Sequence, residues 1–279
     1  MNKPLVSIII RTCGRPQVLG NALKSVRNQT YQNIEVVIIE DGKNISEELV
    51  RHEFSDLNIV YANTGEKKGR CYVGNLGLSK ASGEYFNFLD DDDILLANHV
   101  EILMDKLLLE KCEAAYSIAE EHQITITNVD EYRFKIKRKV VRYKQPFNKL
   151  LLCYMNYMPI QSVMFSRRLY DTLGGFDEQL HVLEDWDLWV RYTSNSTFIF
   201  VPEKTSVYYT PYKGNLKRKR EIDLKSSTNV VIKKYSTYHL SMTVDEINRE
   251  MEYILNVFNK KGILFYMQKV RNFLLYRDI

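Results

Sequence analysis

The stretch FNFLDDDDILL, residues 86–96, decides the fold. Large apolar and aromatic side chains run into four consecutive aspartates, Asp90, Asp91, Asp92 and Asp93. A short apolar run bounded in this way reads as a buried strand. Like charges repel, so the tip of that strand faces either bulk water or a cation. Hard oxygen donors suit Mg2+ or Mn2+, with substrate phosphates completing the shell. An EF-hand loop does not fit, because no Gly stands at the sixth position of any register of the run. If the strand continues through the acids, Asp90 and Asp92 face one side and Asp91 and Asp93 the other.

Upstream, the same grammar repeats. LVSIII (5–10) is a β-branched run, and Gly14 and Pro16 break it. Val18, Leu19, Ala22, Leu23 and Val26 then recur at helical spacing, with Pro16 suited to a first helical turn. IEVVII (34–39) is a second buried strand and ends in Glu40-Asp41-Gly42. A helix over 46–54, a strand at 59–61 and a helix over 71–80 follow. The order is βαβαβαβ, the alternation of a parallel, doubly wound sheet. Such sheets take ligands at the carboxyl ends of their strands. Thr12, Asp41 and the aspartate run all lie at such ends.

The second half changes character. A helix is expected over 98–111, then antiparallel strands over 114–127 and 131–143 with one solvated face. The alternating Lys/Arg of 135–142 reads as that wet face and not as a nucleic-acid surface, and no nucleic-acid motif is present. A helix over 147–157 and strands at 162–165, 198–201 and 205–209 are expected next. EDWDLWVR (184–191) opens another helix with acids in its first turn. Those acids either complement the helix dipole, worth about 0.3–1 kcal/mol, or include a general base whose pKa desolvation raises. Asp41 either caps a turn or accepts hydrogen bonds from a ribose or base. Lys67, Lys68 and Arg70 of KKGR face either phosphates or water.

The chain has 279 residues, 45% of them hydrophobic, enough for one large domain with an appendage. The formal charge is +4, too mild to imply a partner. It is unevenly placed: residues 213–279 hold 14 Lys/Arg against 7 Asp/Glu, so the first 212 carry −3. Four scattered cysteines suggest neither disulfides nor zinc. No apolar run reaches the roughly 20 residues that span a bilayer. A cytoplasmic protein is expected.

Taken in order, these segments resemble the catalytic domain of glycosyltransferase family 2, of GT-A type. The pieces are VSIIIRT (6–12), IEVVIIEDG (34–42), the G-R-x-x-x-G-N-x-G-L pattern (69–78), ASGEYFNFLDDDD (81–93), LGGFDE (173–178) and EDWDLWVR (184–191). The match runs over about residues 4–212. The resemblance implies a Rossmann-like mixed sheet flanked by helices, with a catalytic domain at 1–212 and a basic, largely helical extension at 213–279. It implies an inverting transferase that moves a sugar from a nucleotide-diphosphate sugar to a hydroxyl of a glycan or lipid-linked acceptor, in surface polysaccharide synthesis. Carried over by position, Asp92 and Asp90 hold Mg2+ or Mn2+, and Asp185, beside Glu184, is the base. Thr12, Arg15, Asp41, Arg70, Asn75 and Asp91 contact the nucleotide. The alternative is a catalytically inactive nucleotide-sugar-binding partner subunit.

Two positions depart from the family pattern. Gly74 stands where many members carry Arg, and Arg70 is the nearest residue to supply that charge. Arg11 stands where many carry Pro, which alters how the base or diphosphate is held. Beyond the match, residues 244–279 combine helical apolar spacing with Lys and Arg. Such a helix either packs on protein, through the catalytic domain or a dimer partner, or makes peripheral contact with the inner face of the cell membrane.

Overall fold

The computed structural model describes residues 3–259, apart from Asp130 and Asn195. Strands β1 (Val6–Thr12), β2 (Ile34–Glu40), β3 (Ile59–Asn63) and β4 (Tyr85–Asp90) form a parallel block in the order β3-β2-β1-β4. The apolar residues of β1, β2 and β4 are buried on both faces apart from the half-buried Ile34 and Tyr85, while the edge strand β3 is half-buried. Helices α1 (Pro16–Arg27), α2 (Glu47–Glu53) and α3 (Arg70–Lys80) make the crossovers. The sheet then continues through β8 (Val163–Ser166), β6 (Ala114–Asn128), β9 (Phe198–Pro211) and β5 (Ile94–Leu95). β8 is antiparallel to both β4 and β6, so the sheet is mixed.

Strand alternation sorts the core into two faces. Val6, Ile8 and Ile10 join α1, α2 and α4 (His99–Glu110) on one side. Ile9, Phe86 and Phe88 join α3, α5 (Lys149–Tyr154) and α7 (Glu184–Tyr192) on the other. Arg11 has the parity of Ile9, and its register partner Asp90 has the parity of Phe88. Both therefore project toward α3 and α7. This parity places a cation and an acid of the parallel block beside the acids of α7.

β7 (Arg133–Val141) pairs with β6; its odd-numbered residues are exposed, and on its other face Phe134 and Val140 are half-buried. Several elements differ from expectation. The expected helix over 147–157 shortens to α5, and Met155 is extended. The strands expected at 198–201 and 205–209 are one strand, β9, with register shifts against β6. The largely helical extension expected at 213–279 begins with α8 (Asn215–Tyr235), ahead of the helical spacing read from 244 on. The fully buried residue of α8 is Val231, so its sequence carries almost no apolar period. A short α6 (Arg167–Leu173) follows β8.

α8 is tied to α7 from behind. Lys234 Nζ lies 2.6 Å from Asp177 and 2.7 Å from the fully buried Asp187. Tyr235 meets Trp186 edge-on at 5.9 Å between ring centroids. In α9 (Val244–Asn259), Glu250 accepts a 2.8 Å hydrogen bond from the backbone N–H of Leu150. Residues 213–256 therefore pack against the body instead of standing apart. The remainder of the 244–279 segment, from 260 on, lies outside the described residues. No described helix is long and apolar enough to cross a membrane.

Candidate active site

The carboxyl ends of β1, β2 and β4 and the start of α7 open on one cleft of about 960 Å³. Its walls include Arg11, Thr12, Arg15, Asp41, Arg70, residues 90–93, Asn156, Glu184 and Asp185. The two acidic segments, nearly a hundred residues apart in sequence, thus face the same space. Asn75 does not line it. Its amide donates to Phe176 O and Glu178, both at 3.0 Å, and its oxygen accepts from Phe176 N at 2.7 Å. Expected to touch nucleotide, Asn75 instead pins the 174–178 loop, and no polar end is left over.

β4 stops at Asp90, and the amide of Asp93 donates to Asp90 O at 3.0 Å to close a turn. Strand alternation therefore does not extend through the four acids. The same sorting nevertheless arises from the turn: the Asp90 and Asp92 side chains are 27% and 34% exposed in the cleft, while Asp91 is 1% exposed. Asp91 accepts a 2.7 Å hydrogen bond from Thr12 Oγ1 and pairs with Arg15. Burial pushes its pKa up to about 6 even so, against the pull of Arg15. It ties the β1–α1 turn to the acidic loop. Asp93 is buried and accepts from Tyr209 N at 3.2 Å. Burial, then Asp92 and Asp90, push its pKa well up. Asp92 is less engaged: its partner is Arg15 at 3.6 Å, and burial followed by the Asp90 charge raises its pKa. A carboxylate destabilised by desolvation and a like charge, open to the cleft, is suited to a divalent cation. Among the described residues no three His, Cys, Asp or Glu side chains gather in metal-holding geometry. The residues present fit a cation that takes one or two carboxylates and completes its shell with phosphate and water, as Mg2+ and Mn2+ do.

Asp41 lies at the end of β2, where its carboxylate accepts from Lys68 N (2.6 Å) and Gly69 N (3.1 Å). It fixes the loop that leads into α3, at the rim where Arg70 stands. Glu40, which sequence reading passed over, is fully buried and gathers Gly14, Ile45 and Ser46 backbone N–H groups at 2.9–3.2 Å. It shapes the turns on both sides of the cleft mouth.

At the other wall, α7 begins at Leu183, held at φ 64°. A branched side chain in that conformation costs of order 1–2 kcal/mol, and here it delivers the acids of the first turn into the cleft. Trp186 and Trp189 anchor the helix from behind, their N–H groups donating to Leu152 O (2.6 Å) and Met158 O (3.0 Å). Glu184 is buried and committed: its Oε1 accepts from Arg11 Nη1 at 3.0 Å and lies 3.6 Å from Arg70. Asp185 is half-buried, with Oδ2 accepting from Asn156 Nδ2 at 2.9 Å and Oδ1 from the amide of Trp186 at 2.8 Å. Burial, reinforced by the adjacent Glu184 charge, pushes its pKa up to about 6.

Arg11 joins the two walls. Its Nε donates to Asp90 at 2.8 Å and its Nη2 lies 2.7 Å from the same oxygen, while Nη1 holds Glu184. Burial disfavours its charge, but the two carboxylates outweigh that and raise its pKa, so it stays protonated. Arg70 lines the same cleft, half exposed, with Nη1 3.6 Å from Glu184. The visible signal for Arg11 was an arginine inside a mostly apolar strand. Asn156 was missed because its segment reads as helix. Further along, the cleft is lined by Glu121, Arg142, Tyr143, Tyr208, Thr210, Lys217 and Arg220.

Comparison with known proteins places this cleft in context. The model of the glycosyl transferase family 2 matches residues 7–170. The uncharacterised glycosyltransferase YwdF of Bacillus subtilis is 28% identical over 204 residues, covering 73% of each chain. WcaA of Escherichia coli K12, named for glycosyl transfer in colanic acid biosynthesis, is 27% identical over 192 residues, 68% of this chain and 66% of its own. Among solved structures, S. aureus TarS 1-349 in complex with UDP-GlcNAc superposes with a TM-score of 0.64 at 15% identity, covering 99% of this chain and 76% of that one. The mannosyltransferase PcManGT of Pyrobaculum calidifontis, in complex with GDP-Man and Mn2+, gives a TM-score of 0.62 at 16% identity, over 99% and 82%. The fold is that of GT-A glycosyltransferases, and the sequence match extends over more than half of the chain, so the protein belongs to glycosyl transferase family 2 and is a glycosyltransferase.

Proposed function

We propose that this chain is an inverting glycosyltransferase that moves a sugar from a nucleoside-diphosphate sugar to an acceptor hydroxyl in surface-polysaccharide assembly. One observation carries the reading: a half-buried carboxylate with a pKa of about 6, Asp185, shares a cleft with the acidic turn at 90–93. Direct displacement needs two things on opposite faces of the sugar. The leaving diphosphate gains negative charge as the bond breaks, and the attacking hydroxyl must lose a proton. Asp92 and Asp90 would hold Mg2+ or Mn2+ against the diphosphate, and that cation supplies electrostatic relief of the leaving group. Asp185 takes the hydroxyl proton, and Asn156 orients its carboxylate to receive it. The donors bound by TarS and PcManGT, UDP-GlcNAc and GDP-Man, support a nucleotide sugar without choosing one. The family relatives in polysaccharide synthesis support the setting. Residues 1–212 form the catalytic unit in this reading, with α8 bracing α7 and extending the acceptor end through Lys217 and Arg220. The test is the anomeric configuration of the early product by proton NMR, with UDP-GlcNAc and GDP-mannose as probe donors. Inversion supports direct displacement; retention rules it out.

A further inference from the structure

Arg11 is a cation sealed between the two acidic arms of the cleft, 6% exposed. Its position follows from the fold: parity on β1 turns it toward α7, and its register partner on β4 is Asp90. Its seat is built for a flat guanidinium. The rings of Phe88 and Phe176 lie 5.7 and 5.6 Å from its central carbon. Gly74 makes the room: a Cβ there would stand 2.5 Å from Phe176 Cε2 and 3.7 Å from Arg11 Cδ. The fork then divides its donors, two toward Asp90 and one toward Glu184.

We propose that Arg11 is a positioning residue of the transfer reaction. Its guanidinium locks Asp90 to Glu184 and offsets the Asp90 charge against a metal arriving alone. The inference rests on the reading of the cleft given above and adds an order of events to it. A divalent cation approaching the free enzyme meets Asp92 and the second oxygen of Asp90, with a fixed positive charge on the first Asp90 oxygen. Coulomb repulsion in a partly desolvated cleft makes that encounter weak. The diphosphate of a donor brings the missing oxygen ligands and the offsetting negative charge, so metal and donor enter as a pair. On the other side, a carboxylate fixed at Glu184 holds the first turn of α7 in register, and with it the neighbouring Asp185. Lysine cannot hold both acids at once, because its single ammonium lacks the planar fork that spans them.

The experiment is a Mn2+ titration of the full chain followed by electron paramagnetic resonance, without nucleotide, on wild type, Arg11→Met and Arg11→Lys. Wild type binds Mn2+ weakly, Arg11→Met at least tenfold more tightly because Asp90 is released, and Arg11→Lys close to wild type because a cation remains. Arg11→Met binding no tighter than wild type overturns the lock. The second readout uses UDP-GlcNAc and GDP-mannose turnover. Arg11→Lys keeps the donor KM within about threefold and loses more than tenfold in kcat; an unchanged kcat overturns the positioning role. Should Arg11→Met fail to fold, Arg11→Lys carries this second test by itself. Should wild type turn over neither probe donor, the Mn2+ titration decides the lock independently.

Discussion

Replacing Asp185 with Asn should cost activity and add stability. The carboxylate sits at a pKa of about 6 instead of the ordinary 3.8. A raised carboxylate pKa means that ionisation is less favourable in the folded chain than in the unfolded one. The penalty is therefore absent below pH 3.8, grows between pH 3.8 and 6, and is complete above 6. At about 1.4 kcal/mol per pH unit it amounts to about 3 kcal/mol. The Asp185→Asn substitution removes the charge but gives some of this back. The native carboxylate accepts from both Asn156 and the Trp186 amide, and one amide oxygen serves the two less well, a loss of about 1 kcal/mol. The net gain is about 2 kcal/mol, which for a chain of this size raises Tm by about 3–4 °C. Thermal unfolding at about pH 8 and about pH 4.5 measures it: the gain should be full at the higher pH and shrink at the lower. Turnover should fall about 10²–10⁴-fold, the usual worth of a general base. Wild-type kcat/KM should fall about tenfold per pH unit below about 6. A destabilised Asp185→Asn, a gain that does not change with pH, or near wild-type turnover would each refute the assignment.

Gly74→Ala should force Phe176 to move, since the new Cβ meets its ring at 2.5 and 2.7 Å. Overpacking of this kind costs about 1–3 kcal/mol, of which helix propensity returns about 1. A lowered Tm together with a kcat loss exceeding any KM change is expected; an unchanged Tm would mean that the Arg11 seat is loose. Lys234→Met removes one of the two cations that face the fully buried Asp187, while Arg191 remains at 2.9 Å. Urea unfolding should show a loss of about 1–3 kcal/mol, and an unchanged midpoint would mean that α8 does not brace α7.

Much of this site was legible because parallel sheets state themselves plainly. LVSIII, IEVVII and FNFL are mostly apolar runs, each broken by one polar residue (Ser7, Glu35 and Asn87), and the acids that end them fall at the one edge where such a sheet opens. What sequence spacing could not supply were the contacts across the cleft. Nothing in the neighbourhood of residue 156 marks it as the partner of residue 185, since that pairing depends on where a short helix stops. Arg11 was visible as an oddity in β1, yet its span from Asp90 to Glu184 follows only from strand register and parity. Asn75 holds the 174–178 loop, a task that sequence does not separate from ligand contact, because a polar residue on α3 near a cleft satisfies a loop as readily as a ligand. α8 has so little apolar period that its docking on α7 rests on Lys234, Val231 and Tyr235, which local pattern does not single out.

In the proposed mechanism, acids remote in sequence divide the work, one arm gripping metal and diphosphate and the other taking a proton. Calorimetric binding of UDP and GDP, each with and without Mn2+, to wild type, Asp92→Asn and Asp185→Asn tests this directly. Asp92→Asn should lose the Mn2+-dependent part of nucleotide binding, while Asp185→Asn should keep it within about threefold. Equal losses in both variants, or full Mn2+-dependent binding by Asp92→Asn, would contradict this division.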